Sequence, residues 1–370
     1  MIQRAGVIDS ALQPMTEAGS KAESDRIPLT SLALEEVRDL VEAMGESRYR
    51  GDQIGRWLYK RSVTEIDQMS DLSAKLRRDL GRRSRLHALK IARVLDSADG
   101  VTRKLLLTGS GGVSVESVLL PRRRGMALCL SSQAGCAMRC PFCATGLGGL
   151  RRNLSFGEIV DQYLLARRLA PGGDIGSIVF MGMGEPLANL ENVKSAVERL
   201  VSSEYCGLGA RRITISTIGL RGRIRRLAGW PWQVGLAISL HAPNDELRCR
   251  LVPPSRSFGL EELMAESVYY QRKTGRRVSY EYVMLDSIND SPDQARVLRD
   301  LVAGQLCHIN LIPYNSVAGT GYRGSPRAAI ERFRQTLEPG GVSVTVRRPR
   351  GRDIAAACGQ LAGSKDRAAS

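Results

Sequence analysis

With 370 residues, 43% of them hydrophobic and 25% charged, the chain has the composition of an ordinary globular protein and room for one large α/β domain with a smaller companion. No run of about 18 apolar residues exists, which excludes a membrane-spanning helix. Its eight cysteines are too few for a disulfide scaffold and point to a reducing, cytoplasmic setting, while Lys plus Arg (54) exceed Asp plus Glu (38) by 16 and favour a polyanionic partner, nucleic acid above all.

Residues 1–25 read as a disordered tail, without the continuous apolar stretch of a signal peptide. Ser31 is placed to cap a helix carrying Leu34, Val37, Val41 and Met44 at helical spacing, with Gly45 as its stop. A second helical pattern holds Ile54, Trp57 and Leu58, and a third holds Leu72, Leu76 and Leu80. The third closes on Lys75, Arg77, Arg78, Arg82, Arg83 and Arg85. Such charges form either a solvated face or an RNA-gripping surface, and the total charge favours the second.

From Ile91 the period changes. Thr102 to Leu107 and Val113 to Leu120 read as two strands of a hairpin turning through Gly109-Ser110-Gly111-Gly112, and Glu116 sits among the apolar residues of the second. After Arg122-Arg123-Arg124, a strand from Ala127 to Leu130 leads into a cysteine-rich loop. Beyond it strands and helices alternate. A capping box, Ser155 with Glu158, opens the first helix, and strands follow at Ile178–Met181, Ile213–Thr217, Val234–Leu240, Val278–Met284, His308–Ile312 and Val342–Val346. Repeated β–α units of this length predict a parallel sheet, open or curled into a barrel, with ligands at the C-terminal ends of its strands.

Three cysteines, Cys136, Cys140 and Cys143, are spaced C-x3-C-x2-C. Structural zinc wants four protein ligands in a closed tetrahedron, and an ordinary ferredoxin cluster takes four cysteines. A [4Fe–4S] cluster with one iron free of protein ligands fits three thiolates best, and the motif resembles that of the radical S-adenosylmethionine (SAM) superfamily, in which the open iron binds SAM. Beside that motif, Gly182-Met183-Gly184-Glu185-Pro186 after a strand reads as a SAM amino-group site: glycines admit close approach, and one carboxylate can hold an ammonium group. Ser216, Ser239-Leu240-His241 and Asn315 fall at neighbouring strand ends and are most economically read as contacts of the same ligand. Near the C-terminus, Cys358 follows Arg347, Arg348, Arg350 and Arg352 in a small-residue turn, where a thiol is accessible and partly thiolate, and where guanidinium groups suit phosphate. Cys206, Cys249 and Cys307 lie in no motif and read as ordinary thiols.

From about Ile27 to Gly363 the chain resembles the RlmN-type radical SAM enzymes, which methylate C2 of adenosine in 23S ribosomal RNA and in certain transfer RNAs. The blocks that carry the likeness are CLSSQAGCAMRCPFCATG, RNLSFGEIVDQ, FMGMGEPLAN, ISLHAPND, NLIPYN and RGRDIAAACGQLAG, in that order. The resemblance implies a partial (β/α)6 radical-SAM barrel with a small N-terminal helical domain and a β-hairpin extension. Its segments would be an RNA-binding accessory domain at 26–90, a β extension carrying Glu116 at 91–128, the radical SAM core at 129–363 and a tail at 364–370. Cys136, Cys140 and Cys143 would hold the [4Fe–4S] cluster; Gly184, Glu185, Ser216, Ser239, Leu240, His241 and Asn315 would line the SAM site. Cys358 would carry the methyl group between two SAM molecules, Glu116 would be the base, and Cys129 would resolve the protein–RNA adduct through a transient disulfide with Cys358. Flavodoxin is the family's usual electron donor, and a monomer is expected.

Two other readings carry different chemistry. Cfr-type enzymes methylate adenosine at C8, but Ala134 and the pair Arg350-Gly351 favour the C2 group. A non-catalytic iron–sulfur RNA-binding protein would have no use for Glu116 or Cys358. The tail before Asp25 and the basic loop Arg122-Arg123-Arg124 depart from the family pattern.

Overall fold

The computed structural model describes residues 25–122 and 125–363. Of the tails read at residues 1–25 and 364–370, all but Asp25 lie outside the described residues, as do Arg123 and Arg124 of the basic loop.

Strands β1 (Ile27–Pro28) and β2 (Ser84–Arg85) pair in parallel and close off a helical segment of α1 (Leu34–Glu42), α2 (Tyr49–Gly55) and α3 (Ala74–Arg83). Leu34, Val37, Leu40 and Val41 are the buried stripe of α1, as their spacing requires. Ser31 does not cap that helix. It lies in a 3-10 turn and packs so tightly on Gly157 that a Cβ there would meet Ser31 Oγ at 2.8 Å. The helix starts two residues later, where the Glu36 carboxylate accepts from the Ala33 N–H at 2.6 Å. After α2 a π turn, Arg56–Lys60, points Trp57, Leu58 and Tyr59 inward together. Tyr59 then packs edge-to-face on Tyr205, so the helical segment shares its apolar core with the rest of the chain.

The main sheet has ten strands in strict chain order once a small hairpin is set aside. Strands β3 (Leu89–Asp96), β4 (Arg103–Gly109) and β5 (Ser114–Pro121) form an antiparallel meander, and β5 pairs antiparallel with β6 (Met126–Cys129). From β6 the sheet is parallel through β9 (Ile175–Phe180), β10 (Ile213–Thr217), β11 (Gly235–Ser239), β12 (Val278–Met284), β13 (Cys307–Pro313) and β14 (Ser343–Val346). The expected hairpin extension thus has a third strand, β3, whose bulged, half-exposed edge position blurs the alternation that would have announced it. The small hairpin, β7 (Gln133–Gly135) with β8 (Leu150–Asn153), brackets the three cysteines and is too short for any periodicity to betray it.

The remaining helices are α4 (Ala144–Leu147), α5 (Phe156–Arg167), α6 (Leu190–Val201), α7 (Arg223–Ala228), α8 (Asp245–Leu251), α9 (Leu260–Thr274), α10 (Pro292–Leu301) and α11 (Arg327–Leu337). The Ser155–Glu158 box caps α5 with bonds of 3.2 and 2.9 Å. Side chains alternate across the parallel strands. One face carries Ile213, Ile215, Leu236, Ile238, Tyr280, Tyr282, Ile309 and Leu311, all buried in the main core. The other carries Thr214, Ser216, Gly235, Ala237, Ser239, Ser279 and Glu281, small or polar, with Val283 and Ile312 as larger apolar residues toward its C-terminal end. Such a face does not fill itself as a closed barrel interior does, and it forms a polar trough in which the functional residues lie.

Candidate active site

The cysteine loop is held by its backbone. Cys136 N–H donates to Gly149 at 2.8 Å and closes the small hairpin around the loop. Gly135, at φ +80°, allows that closure, since a Cβ there would lie 1.9 Å from the Gly149 carbonyl. Cys136, Cys140 and Cys143 all line one cavity of about 160 Å³. Burial pushes the Cys136 thiol up to about 12 and Cys140 well above its usual range, and the neighbouring cysteines add to both shifts. Thiols so placed are costly as free anions and suit a site whose cations take over their charge. Among the described residues no three His, Cys, Asp or Glu side chains converge as a single metal ion requires. Three thiols lining one cavity, without the convergence that a closed tetrahedral zinc site needs, fit a polynuclear cluster better than zinc.

The opposite wall of that cavity is built from strand ends. Gly184, at φ +98°, presses against Gln133, where a Cβ would meet the Gln133 Cβ at 2.5 Å, so the backbone itself forms the surface. Glu185 is buried, accepting from Leu187 N–H and Ile218 N–H at 2.9 Å each. Burial raises its pKa, opposed by the Thr217 hydroxyl and those two amides. Ser216, Ser239, His241 and Asn315 complete the lining. His241 has φ +60° and accepts from Val283 N–H through Nδ1 at 3.1 Å; burial drops its pKa to about 3, so it is neutral. Leu240 is the exception among the expected contacts. Its side chain is fully buried in the core and its N–H donates to Glu281 O at 3.0 Å, so it shapes the rim through its backbone.

A second, larger cavity of about 1150 Å³ adjoins the first. The two share Met181, Ile312, Asn315, Arg347 and Cys358. Cys129 lines the larger one and is buried, which pushes its thiol up to about 12, with Cys358 adding to the rise. Arg347 stands on the partition: its Nη1 lies 3.7 Å from Glu281 Oε2, 3.6 Å from Met181 Sδ and 4.0 Å from Cys358 Sγ. Cys358 is exposed as a residue, yet its sulfur sits where desolvation raises the thiol above its ordinary range, Arg347 opposing. The expectation of a partly thiolate Cys358 is therefore corrected: burial at the sulfur outweighs the neighbouring guanidinium. Nor is any disulfide present, for all eight cysteines are free.

Glu116 lines neither cavity. It pairs with Lys104 at 3.0 Å, both side chains 7% exposed, and its Oε2 accepts from Ala362 N–H at 2.8 Å and Gly363 N–H at 3.2 Å. Lys104 also donates to Ala355 O at 3.2 Å. The pair therefore clamps the Cys358 loop on both of its flanks. From the barrel side, Asn315 Nδ2 donates to Cys358 O at 3.2 Å and Ala144 N–H donates to Gly359 O at 2.8 Å. Among the lining groups without a sequence signal as site residues are Glu281, an alternating position within a strand, and Met181, at a strand end.

Comparison with known proteins matches this architecture. The family model of the radical SAM superfamily matches residues 130–296, and that of the ribosomal RNA large subunit methyltransferase N-terminal domain matches residues 27–86. The crystal structure of a radical SAM methyltransferase from Sphaerobacter thermophilus superposes with a TM-score of 0.88 at 44% identity, covering 91% of this chain and all of that one. Barrel and three-cysteine loop together define a radical SAM enzyme, with the [4Fe–4S] cluster and SAM that this superfamily uses. A probable dual-specificity RNA methyltransferase RlmN from Symbiobacterium thermophilum is 44% identical over 92% of each chain, and one from Rhodopirellula baltica is 46% identical over 90% of each. The chain belongs to the RlmN family of RNA methyltransferases.

Proposed function

We propose that the chain methylates C2 of adenosine in 23S ribosomal RNA and in certain transfer RNAs, carrying the methyl group on Cys358. The observation that most supports this is the position of Cys358. It is the one cysteine lining both cavities, of which one faces the three-cysteine loop and the other is basic and roomy enough for an RNA segment.

Cys136, Cys140 and Cys143 would hold the [4Fe–4S] cluster, which when bound supplies the electron that cleaves SAM to a 5′-deoxyadenosyl radical. Glu185 would hold the SAM ammonium group, with Gly184, Ser216, Ser239, Asn315 and the backbone at Leu240 and His241 fixing the rest of the molecule. Cys358 would lose its thiol proton as its sulfur takes a methyl group from one SAM. After the 5′-deoxyadenosyl radical takes a hydrogen atom from that methyl, giving 5′-deoxyadenosine, the methyl carbon would bond to adenine C2 and leave a radical adduct. Glu116 would accept the C2 proton, which requires the carboxylate to leave the Ala362 and Gly363 amides. Cys129 would attack the Cys358 sulfur, breaking the carbon–sulfur bond so that the released carbon takes a proton and becomes the methyl group; the adduct's unpaired electron would return to the oxidised cluster, and a reductant would reopen the Cys129–Cys358 disulfide left behind. We take the enzyme to be a cytoplasmic monomer reduced by flavodoxin; among the described residues no helix is long and apolar enough to cross a membrane.

The test is nucleoside mass spectrometry on ribosomal RNA and transfer RNA treated with anaerobically reconstituted protein, SAM and reductant. The expected product is 2-methyladenosine. If 8-methyladenosine forms instead, the cysteine roles stand and the C2 assignment falls; if neither forms with an intact cluster, the substrate is wrong.

A further inference from the structure

The polar trough continues past the two cavities. Its layer nearest the strand starts, Thr214, Gly235 and Ser279, opens into a further cavity of about 470 Å³ at the end of the barrel away from the cysteine loop. This cavity adjoins the larger one at Arg211 and Thr214, so the two together line one groove from Cys358 to the base of the sheet. Because β10 is five residues long, the two ends lie about 15 Å apart.

Four arginines gather at the base: Arg211 and Arg212 just before β10, and Arg276 and Arg277 just before β12. Among the described residues none of the four has a carboxylate partner. Arg211 donates to Gln233 Oε1 at 2.9 and 3.2 Å, and the buried Nε of Arg276 meets no acceptor. Arginines elsewhere on the chain are neutralised: Arg48 by Glu35, Asp39 and Glu42, and Arg334 by Glu331 and Glu338. Among the described residues Asp174 is the one carboxylate lining this groove, and the Thr214 and Ser279 hydroxyls add donors on its floor. Clustered unpaired guanidinium groups repel one another and hold an atmosphere of anions, which a polyanion displaces with a gain in entropy. Their planar forks match phosphate oxygens in twos.

We propose that this base cluster is a second RNA contact, taking phosphodiester groups of the strand that flanks the target nucleotide as it leaves the Cys358 cavity along the groove. The proposal rests on the RNA-methylating reading of the chain. Phosphate contacts position a strand without reading its sequence, so their loss weakens every RNA substrate alike and leaves the chemistry at Cys358 untouched.

The experiment measures binding of a fluorescent single-stranded oligoadenylate to full-length reconstituted protein by anisotropy between 50 and 200 mM salt (about that range, within which counterion release is resolved). The Arg276→Gln/Arg277→Gln protein should lose about 1.4 from the slope of log affinity against log salt, at roughly 0.7 per single-strand phosphate contact. Its KM for ribosomal RNA should rise several-fold with kcat unchanged, the mark of a purely positioning contact. Arg276→Lys/Arg277→Lys should keep the slope. Lys194→Gln/Arg332→Gln removes the same charge from two outer helices and should change neither slope nor KM. An unchanged slope in the first protein, or an equal loss in the outer-helix control, overturns the site. Inorganic phosphate that displaces the oligonucleotide far better than chloride at equal ionic strength would make the cluster a free-anion pocket and overturn it too. Wild-type protein that binds no RNA would overturn the RNA-methylating reading itself.

Discussion

At Cys129 burial and chemistry pull against each other. A thiol pushed up to about 12 is a poor nucleophile at neutral pH, so its part in the reaction depends on a base taking its proton once Cys358 has bonded to RNA. Cys129→Ala should therefore accumulate a covalent protein–RNA adduct, seen as an RNA-dependent band shift on denaturing gels, whereas Cys358→Ala should give neither adduct nor product. Free turnover by either variant would remove that cysteine from the mechanism. His241 makes a separate prediction. Its pKa is about 3 in the fold against about 6.5 in an unfolded chain. A depressed folded value means that stability is complete above about pH 6.5 and drains away as the pH falls toward 3. Between pH 7.5 and 5 the wild-type protein should lose about 2 kcal/mol more than His241→Gln. Urea unfolding of the cluster-free protein at both pH values measures this, and parallel losses in the two proteins would show that His241 is not held neutral by burial.

Among the elements, the meander β3–β5 does more than widen the sheet. Lys104 on β4 and Glu116 on β5 hold Ala355 on one flank of Cys358 and Ala362 and Gly363 on the other, so this edge of the sheet sets where the sulfur lies. Lys104→Met should leave a buried, unpaired carboxylate and cost about 3–5 kcal/mol. It should also open the loop between Arg347 and Gly363 to trypsin. Lys104→Met/Glu116→Leu should recover much of the stability without recovering methylation, and a loop as resistant to trypsin in Lys104→Met as in wild type would deny the clamp. The clamp shows where sequence reading stops. Strand periods fixed β10 and β12 to the residue, and glycine with a following carboxylate marked Gly184 and Glu185. Cys358 and the three cysteines of the C-x3-C-x2-C run stand out by their local settings, whereas Cys129 enters only through the family resemblance. What pairs Lys104 with Glu116, or brings Glu281 to Arg347, is register and sheet order across distant segments, and no local pattern encodes it. Leu240 differs from its polar neighbours: alternation turns its side chain into the core, so any contact it makes with a ligand is through its backbone.

On the scale of the whole molecule, the question is whether the fold needs its cluster or only presents it. Small metal domains are unfolded without metal because their cores are too small to stand alone. This chain instead has an apolar core running without a break from Ile27 to Leu361, and a second buried cluster, with Phe142, Leu251 and Tyr314, directly beneath the cysteine loop. The loop is also pinned by bonds that owe nothing to the thiols: Cys136 N–H to Gly149 O, Ala144 N–H to Gly359 O, and Thr145 Oγ1 to Leu361 O at 2.6 Å. Replacing Cys136, Cys140 and Cys143 by alanine should therefore leave the far-ultraviolet circular dichroism unchanged. SAM at about 100 times its Kd stabilises a folded protein by about 2.7 kcal/mol. Over the unfolding entropy of a chain this long, that is a rise of about 3–4 °C in Tm. Reconstituted wild-type protein should show that rise, and the triple-alanine protein should show none while keeping its own cooperative transition. A SAM-dependent rise that survives in the triple variant would mean that the strand-end rim binds SAM without the cysteines. Loss of the cooperative transition would mean that the cluster is part of the core.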